Sequence, residues 1–372
     1  MDPRTQSCHN LDCPARGVVG QGHIQIHSRA ERRYKCTTCG RTFAQTRGTP
    51  SYRKRTAPDV ITTVMTLLTH GCPPQAIVAA FGLDERTVAA WQQQTGGHCQ
   101  RVHTHVVQQG RVDLRHVQAD EMWIKMMGRR AWMAMAMEAP SRLWLGGVIS
   151  PRRDLALIMS LVRMVRSCAL STAILVCVDG LASSVTAFRR VFRDPVRTGR
   201  AGRPRLRAVP GLLLGQVIKQ KEQRRVVGVT RRVVLGTAAA ITAVLLATGT
   251  GAGINTAYIE RLNATFRGAM TPLVRRGRAL ARTQGTLQAG MFLVGCAYNF
   301  CREHESLRLE TGQAGGRKWQ RRTPAMAAGL TDHPWTMTEL LSHRIPPPPW
   351  VAPKRRGRPP KPKNQPEDAV AA

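Results

Sequence analysis

The chain has 372 residues, enough for two or three domains, and 42% of them are hydrophobic, which is ordinary for a globular protein. Its 56 basic and 22 acidic residues give a net charge of +34, which predicts a polyanionic partner, nucleic acid first and a membrane surface second. The chain opens without the apolar segment of a secretory signal, and its longest apolar stretch, 237–249, is too short to span a bilayer. We therefore expect a cytoplasmic, nucleoid-associated protein and exclude a secreted or membrane-spanning one.

Two cysteine pairs stand near the N-terminus. Cys8 and Cys13 have the spacing C-x4-C, Cys36 and Cys39 have the spacing C-x2-C, and 22 residues separate the pairs. Two close pairs joined by a loop are typical of a structural zinc site, in which four thiolates bind one ion tetrahedrally. We predict that residues 1–45 form a zinc ribbon with one Zn²⁺ ion.

Residues 46–97 have the pattern of a helix-turn-helix DNA-binding region. Three short helices are predicted within 58–95, separated by glycines, with Asp84 as the N-cap of the third. Packing of the apolar residues of that helix inward would leave other side chains facing a major groove: Arg86, Thr87 and Gln93. The alternative is an ordinary helical hairpin.

Residues 98–115 are predicted to form a polar linker. The segment contains Cys99 and several histidines, so a metal cluster is the alternative.

A different pattern begins at residue 116. Three consecutive antiparallel strands, a helix, a buried strand that ends in Asp179, and another helix are predicted in that order. This order is the beginning of an RNase H-like α/β domain, to which we assign residues 116–310. Its last predicted element is one long helix over 283–307.

Three further segments complete the domain assignment. Within the α/β domain, residues 195–236 look like an insertion that contains a basic loop and a strand hairpin. Residues 311–340 form a C-terminal extension. Residues 341–372 are rich in proline and charged residues, so we expect a disordered tail.

Three acids stand where the chain is otherwise apolar or basic. Asp120 lies in the first strand of the α/β domain, Asp179 ends the fourth strand, and Glu260 is the only acid among the 80 residues 223–302. Phosphodiester chemistry with two divalent ions needs carboxylates that converge from different elements, and Mg²⁺ prefers such oxygen ligands. We therefore predict a site for two Mg²⁺ (or Mn²⁺) ions at these three residues.

Helical periodicity places Glu260 on a polar face. At about 100° per residue, the apolar side chains of its helix fall on one arc, with Glu260 opposite them. Thr256, Asn263 and Arg267 lie on the same side as Glu260. We expect this face to grip phosphate around the carboxylate, and the alternative is a solvated polar face.

The tail contains a second DNA-binding motif. Arg356 and Arg358 belong to "KRRGRPPK", a Gly-Arg-Pro core between basic residues that is typical of an AT-hook. An extended Arg-Pro segment fits the narrow minor groove of A·T-rich DNA. The alternative is a basic linker.

Several of these motifs together resemble the DDE transposases of bacterial insertion sequences, most of all the insertion-sequence-one group and its relatives. The resemblance extends over nearly the whole chain and includes "YKCTTCGRTF", "TVAAW", "VQADEMW", "CVDG", "YIERLN" and "RTPAMAAGLTDHPWT". It implies that Asp120, Asp179 and Glu260 are the catalytic metal ligands. It also implies that Arg267 contacts DNA and that the chain binds transposon terminal inverted repeats and target DNA as a homo-oligomer.

The implied activity is magnesium-dependent strand cleavage and strand transfer. The chain departs from the family pattern in the 80 residues between Asp179 and Glu260, because the plain core is shorter there. Two alternatives remain. One is a DNA-binding regulator with an inactive transposase-derived domain, and the other is a tyrosine recombinase with Tyr298 as nucleophile.

Overall fold

The computed structural model describes residues 1–196, 203–223, 225–274, 280–311 and 318–352. The described residues divide into two compact units, one formed by residues 1–45 with residues 346–352, the other within residues 46–345.

The first unit contains a three-stranded antiparallel sheet in the order β1-β2-β3, formed by Ile24–Ser28, Arg33–Cys36 and Thr42–Ala44. Its small core combines cysteine thiols with the rings of Tyr34 and Phe43.

Residues 346–352 pack on this same unit. The Nε atom of Arg16 donates a hydrogen bond to the carbonyl oxygen of Pro348 at 3.1 Å. At Gly17 a Cβ atom would lie 2.2 Å from the carbonyl oxygen of Pro347, so only glycine allows this approach. The prediction of a disordered tail is therefore wrong for residues 341–352, whereas 353–372 lie outside the described residues.

The second unit is a mixed α/β structure around a six-stranded sheet in the order β11-β10-β7-β4-β5-β6. Strands β4, β5 and β6 form an antiparallel meander, as predicted, while β7 runs parallel to β4 and β10 parallel to β7. The antiparallel strand β11 forms the edge. The strand bounds are His116–Met126 (β4), Arg129–Glu138 (β5), Leu143–Ser150 (β6), Leu175–Asp179 (β7), Leu213–Glu222 (β10) and Arg225–Leu235 (β11).

Two strand pairs lie outside the central sheet. Strands β8 and β9 pair antiparallel, and β12 and β13 form a short second pair. Their bounds are Arg193–Val196, Arg205–Ala208, Leu309–Glu310 and Trp319–Gln320.

Helices cover the sheet and bury both faces of β7. Leu175 and Cys177 pack with α6, whereas Val176 and Val178 belong to the main core, as expected for a parallel strand inside an α/β sheet. The helix bounds are Pro58–Thr69 (α1), Pro74–Phe81 (α2), Glu85–Val106 (α3), Leu155–Cys168 (α4), Ala182–Val191 (α5), Ala238–Ala247 (α6), Ala257–Ala269 (α7), Gln284–Cys296 (α8), Pro324–Ala327 (α9) and Met337–Ser342 (α10).

The predicted linker is wrong over its first half, because α3 continues through residue 106. His98, Cys99, Val102 and His103 are buried there, and their burial stabilises the helix beyond the predicted end. Helix α3 packs closely on α8.

Two further differences concern the second half of the chain. The predicted insertion 195–236 does contain a hairpin, but its first strand, β10, is a member of the central sheet, because Leu214 and Val217 are buried beside β7. The predicted helix 283–307 ends earlier, since α8 passes into a π-helical turn at Ala297–Cys301 and Arg302 is extended.

Candidate active site

Two of the predicted acids lie side by side where β7 ends. Ala119 of β4 pairs with Val178 of β7, so that the next residue of each strand is an aspartate, Asp120 and Asp179. Strand β4 continues beyond this point to Met126, and its neighbour β7 does not. The carboxylates therefore lie where the inner strand β7 ends between its two longer neighbours, β4 and β10.

Helix α7 brings Glu260 to the same place. The side-chain oxygen of Gln118 accepts hydrogen bonds from the N–H groups of Tyr258 and Ile259, at 3.0 and 3.1 Å, and so fixes the beginning of the helix on β4. Leu262 is buried on the predicted apolar arc, and the side chain of Glu260 is 45% exposed. The predicted orientation of Glu260 is confirmed.

Asn263 differs from the prediction of an open polar face. It is 2% exposed, and its Nδ2 atom donates a hydrogen bond to Oδ2 of Asp120 at 2.8 Å. The other oxygen of Asp120 accepts from the N–H group of Glu121 at 2.9 Å. Asn263 therefore orients a carboxylate and does not stand on an open polar face.

Four carboxylates meet in this region. Oxygens of Asp120, Glu121 and Asp179 all lie within 4.8 Å of one another, which makes them a group that could hold a metal ion. Glu260 is not a member of this close group, but it lines the same cavity as Asp120 and Asp179. The cavity has a volume of about 700 Å³ and is also lined by Arg153, Lys219, Lys221, Thr256, Asn263 and Arg267.

Burial and mutual repulsion change the acidity of these groups. Burial raises the pKa of Asp120, and the negative charges of Asp179 and Glu260 raise it further. Burial also raises the pKa of Glu121, to about 7, although Arg153 opposes this shift. For Glu260 burial acts in the same direction, but hydrogen bonds from Lys219 and Thr256 outweigh it and lower the pKa.

Two cations pair with the carboxylates. The Arg153 guanidinium donates to Glu121 at 2.8 Å and to Asp179 at 3.2 Å. Lys219, two residues beyond the last β10 residue paired with β7, binds Glu260. These two side chains offset part of the negative charge of the four carboxylates.

Two buried polar side chains, His116 and Gln118, precede Asp120 on one face of β4 and support the site, and the sequence analysis missed both. His116, Gln118 and Asp120 alternate along the strand, and they bind Thr250, Asn255 and Asn263, all between α6 and the middle of α7. The signal was present in the sequence, because polar residues at every second position of an apolar strand mark one face. Their partners were not identifiable without the fold.

Gln216 of β10 is a second supporting residue that the sequence analysis missed. It is fully buried, and its amide donates to the carbonyl oxygen of Asp179 at 3.0 Å. This hydrogen bond holds the end of β7 where its carboxylate meets those of β4.

The four N-terminal cysteines form a group that could bind a zinc ion. The sulfur atoms of Cys8 and Cys39 lie 3.7 Å apart, and those of Cys13 and Cys36 lie 3.9 Å apart. Four sulfurs about 2.3 Å from a tetrahedral zinc ion would be separated by about 3.8 Å. The thiols therefore already have the spacing of a ligand set.

The predicted helix-turn-helix residues lie at the beginning of α3. Asp84 caps the helix, because its carboxylate accepts hydrogen bonds from the N–H groups of Arg86 and Thr87 at 2.8 and 3.3 Å. Val88 and Trp91 are buried as predicted. Arg86 and Gln93 are exposed and Thr87 is partly exposed, so contact with DNA stays a prediction.

Other predicted residues do not form a site among the described residues. Only the cysteine group and the acidic group could hold a metal there, so the histidine-rich segment 98–116 does not form a metal cluster. Tyr298 is 4% exposed, and burial raises its pKa, which does not favour a nucleophile. Arg356 and Arg358 lie outside the described residues.

Comparison with known protein families finds no family model that matches this chain, and comparison with curated proteins finds no match either. In the part of the chain that the structure describes, no helix combines the length and the apolar character needed to cross a membrane.

Proposed function

We propose that the chain is a DNA transposase whose α/β domain cleaves and joins DNA strands with divalent metal ions at Asp120, Asp179 and Glu260. The observation that carries this proposal is the cavity that these three acids line together, although they come from β4, β7 and α7. Burial and neighbouring negative charges raise the pKa of Asp120, and a carboxylate perturbed in this way within a cavity favours a functional role.

The sheet supports the RNase H-like fold expected from the sequence. Three antiparallel strands are followed by two strands parallel to the first, and helices α4 and α5 stand in the connections. Asp120 in the first strand and Asp179 at the end of the fourth become neighbours through this strand order.

The donor set fits Mg²⁺ (or Mn²⁺), because every candidate ligand is a carboxylate oxygen. Asp120 and Asp179 would hold the ions together with Glu260, and Glu121 adds a fourth carboxylate. When bound, two such ions stabilise the attacking and leaving oxygens of a phosphodiester. Asn263 and Gln216 keep two of the carboxylates in place without ligating themselves.

The charges around the cavity suit a DNA backbone. Arg153, Lys219, Lys221 and Arg267 line it, so that phosphates entering the cavity meet cations on several sides. The helix-turn-helix residues Arg86, Thr87 and Gln93 would select the terminal repeats, with a homo-oligomer bringing two ends together. The four-cysteine unit would contribute one structural Zn²⁺ ion.

The first prediction is that Glu260→Gln, Asp120→Asn and Asp179→Asn each reduce strand cleavage by several orders of magnitude, because each removes charge that holds an ion. Combining two changes should add little, since the three residues act as one site. Binding of the same DNA should persist or increase, because a negative charge near phosphates is lost. The measurement is cleavage of a labelled duplex made from the DNA that flanks the gene, with Mg²⁺, beside a gel shift on the same duplex.

Glu222→Gln is the matched control. Glu222 is an exposed acid at the end of β10, and it is not among the residues that line the cavity. Near-parental cleavage by Glu260→Gln together with loss in Glu222→Gln would place the third ligand elsewhere. A parent protein that binds the duplex and never cleaves it would support the alternative, a zinc-ribbon and helix-turn-helix regulator with an inactive domain.

A further inference from the structure

An exposed tryptophan lies beside the acidic cluster. Trp123 follows Glu121 by two residues on β4, so the two side chains lie on the same face of the strand, roughly 7 Å apart along it. The residue is 53% exposed. A single exposed apolar residue is ordinary on a protein surface, so its neighbours decide whether Trp123 has a role.

The neighbours form an aromatic and cationic patch. Trp123 pairs directly across the β4–β5 ladder with Trp132. Two residues further along β4 from the acids, Lys125 pairs with Arg130. Lys125 and Arg130 are both exposed. Two like charges directly opposite each other destabilise a sheet, so this pair favours a polyanionic ligand over a stability role.

Arg153 connects this patch to the cavity. Its guanidinium carbon lies 5.0 Å from the centre of the Trp132 ring, and the same guanidinium binds Glu121 and Asp179. Arg153 also lines the cavity. A nucleic-acid strand with a phosphate at the carboxylates would therefore place its next nucleotides beside the two indoles.

We propose that Trp123 stacks on an unpaired base of the DNA strand next to the phosphate under attack, while Lys125 and Arg130 bind the following phosphates. Bases inside a duplex are stacked on each other, so an indole can stack only on a base that has left the helix. Aromatic side chains flanked by cations are the usual platform for single strands. The inference rests on the proposed function, because it assumes that DNA reacts at the neighbouring acids.

The experiment compares the binding of two 16-nucleotide single strands without divalent ions. One strand is oligothymidine, and the other has the same backbone with abasic sugars at every position. We expect Trp123→Ala to weaken binding of oligothymidine by about 10-fold, within the range for loss of one stacked base. Binding of the abasic strand should change less than about 2-fold, because phosphate contacts remain.

Three variants serve as controls. Trp123→Phe keeps an aromatic face and should retain binding of oligothymidine within about 3-fold of the parent. Lys125→Ala should weaken binding of both strands equally and reduce the salt dependence, since it removes one phosphate contact. Leu170→Ala changes an exposed apolar residue in the connection between α4 and β7, and should leave binding of both strands unchanged.

Three outcomes would overturn the inference. Parental binding of oligothymidine by Trp123→Ala would show that no base stacks there, and equal losses on both strands would show that the indole does not recognise bases. Sedimentation of the parent and of Trp123→Ala completes the test. If the parent self-associates and the variant does not, the patch is a contact with a second copy. The assay needs no cleavage. If Trp123→Ala weakens binding of oligothymidine but not of the abasic strand, and the parent never cleaves DNA, the proposed function would be rejected while the stacking surface would stand.

Discussion

Buried ionisable side chains outside the candidate site show how local contacts control acidity. Glu138, at the end of β5, is 3% exposed, and its carboxylate accepts a hydrogen bond from the N–H group of Ser141 at 2.7 Å. Burial raises its pKa from 4.5 to about 7, although the hydrogen bonds from Ser141 oppose the shift. The folded chain therefore keeps a proton on Glu138 at a pH where the unfolded chain has released it.

This raised pKa predicts a pH dependence of stability. Between pH 4.5 and 7 the unfolded state binds fewer protons at Glu138 than the folded state, so the contribution of Glu138 to the free energy of unfolding falls as pH rises and is level above pH 7. From pH 5 to pH 8 the contribution is about 2–3 kcal/mol at 1.36 kcal/mol per pKa unit. Urea unfolding at pH 5 and pH 8 should show that the change in the free energy of unfolding between the two pH values is more positive, by about this amount, in Glu138→Gln than in the parent.

The control for this measurement is Glu310→Gln, which changes an exposed glutamate. It should follow the parent at both pH values. An equal change from pH 5 to pH 8 in the parent and in Glu138→Gln would mean that this carboxyl is already ionised in the folded chain at pH 5.

At the scale of elements, the long helix α3 depends on close packing against α8. A Cβ atom at Gly96 would lie 2.4 Å from the Cα atom of Ala289, so the two helices meet at backbone distance. At Gly97 the nearest atom is the end of the flexible Arg101 side chain, at 3.9 Å. Neighbouring glycines of one helix therefore stand in different environments.

This contrast predicts opposite effects of one substitution. Gly96→Ala should lower the free energy of unfolding by about 1–3 kcal/mol, because α3 and α8 must separate. Gly97→Ala should leave it unchanged or raise it by up to about 1 kcal/mol, because alanine favours a helix and meets no backbone there. Urea unfolding of both variants and the parent provides the measurement. A loss of stability in Gly97→Ala as large as in Gly96→Ala would contradict the proposed helix contact.

At the scale of the whole molecule, the first unit has little apolar material with which to fold. Its core cluster contains Ile24, Tyr34 and Phe43, and the remaining buried members are three of the four cysteines. Small domains of this kind depend on a metal or disulfides, and the cysteines are present as thiols at ligand spacing.

We therefore expect about one equivalent of zinc per chain. Cys13→Ser should abolish zinc binding and raise the protease sensitivity of the first unit, because metal binding and folding are coupled. His27→Ala is the control and should retain the metal. The measurement is elemental analysis of the purified full-length protein and both variants. Full zinc content in Cys13→Ser would exclude the four-thiolate site.

The tail can be tested on the whole chain as well. Removal of residues 353–372 should weaken binding to A·T-rich duplexes more than to G·C-rich ones, because Arg356 and Arg358 are predicted to enter the narrow minor groove. The salt dependence of binding should become shallower. Gel shifts on two duplexes of equal length, at two salt concentrations, make the comparison. Equal losses of affinity for both duplexes would mean that the tail is a basic segment without an AT-hook.

Local patterns in the sequence determined the elements and several of the candidate residues. The alternation in 116–150, the cap at Asp84 and the cysteine spacing are all properties of neighbouring residues, so propensity and periodicity are sufficient to predict them. The apolar arc of α7 is of the same kind, and it placed Glu260 opposite the core.

The tertiary structure decided which distant residues meet. Lys219 and Asn263 reach the carboxylates only because β10 joins the sheet and α7 is fixed on β4 by Gln118, and Arg153 reaches them from the connection between β6 and α4. The length of α3 was likewise decided by burial against α8, which overrides the polar composition of 98–106. Such contacts join positions about 30 to more than 140 residues apart, and their energy depends on the neighbours that the fold supplies, which no local pattern contains.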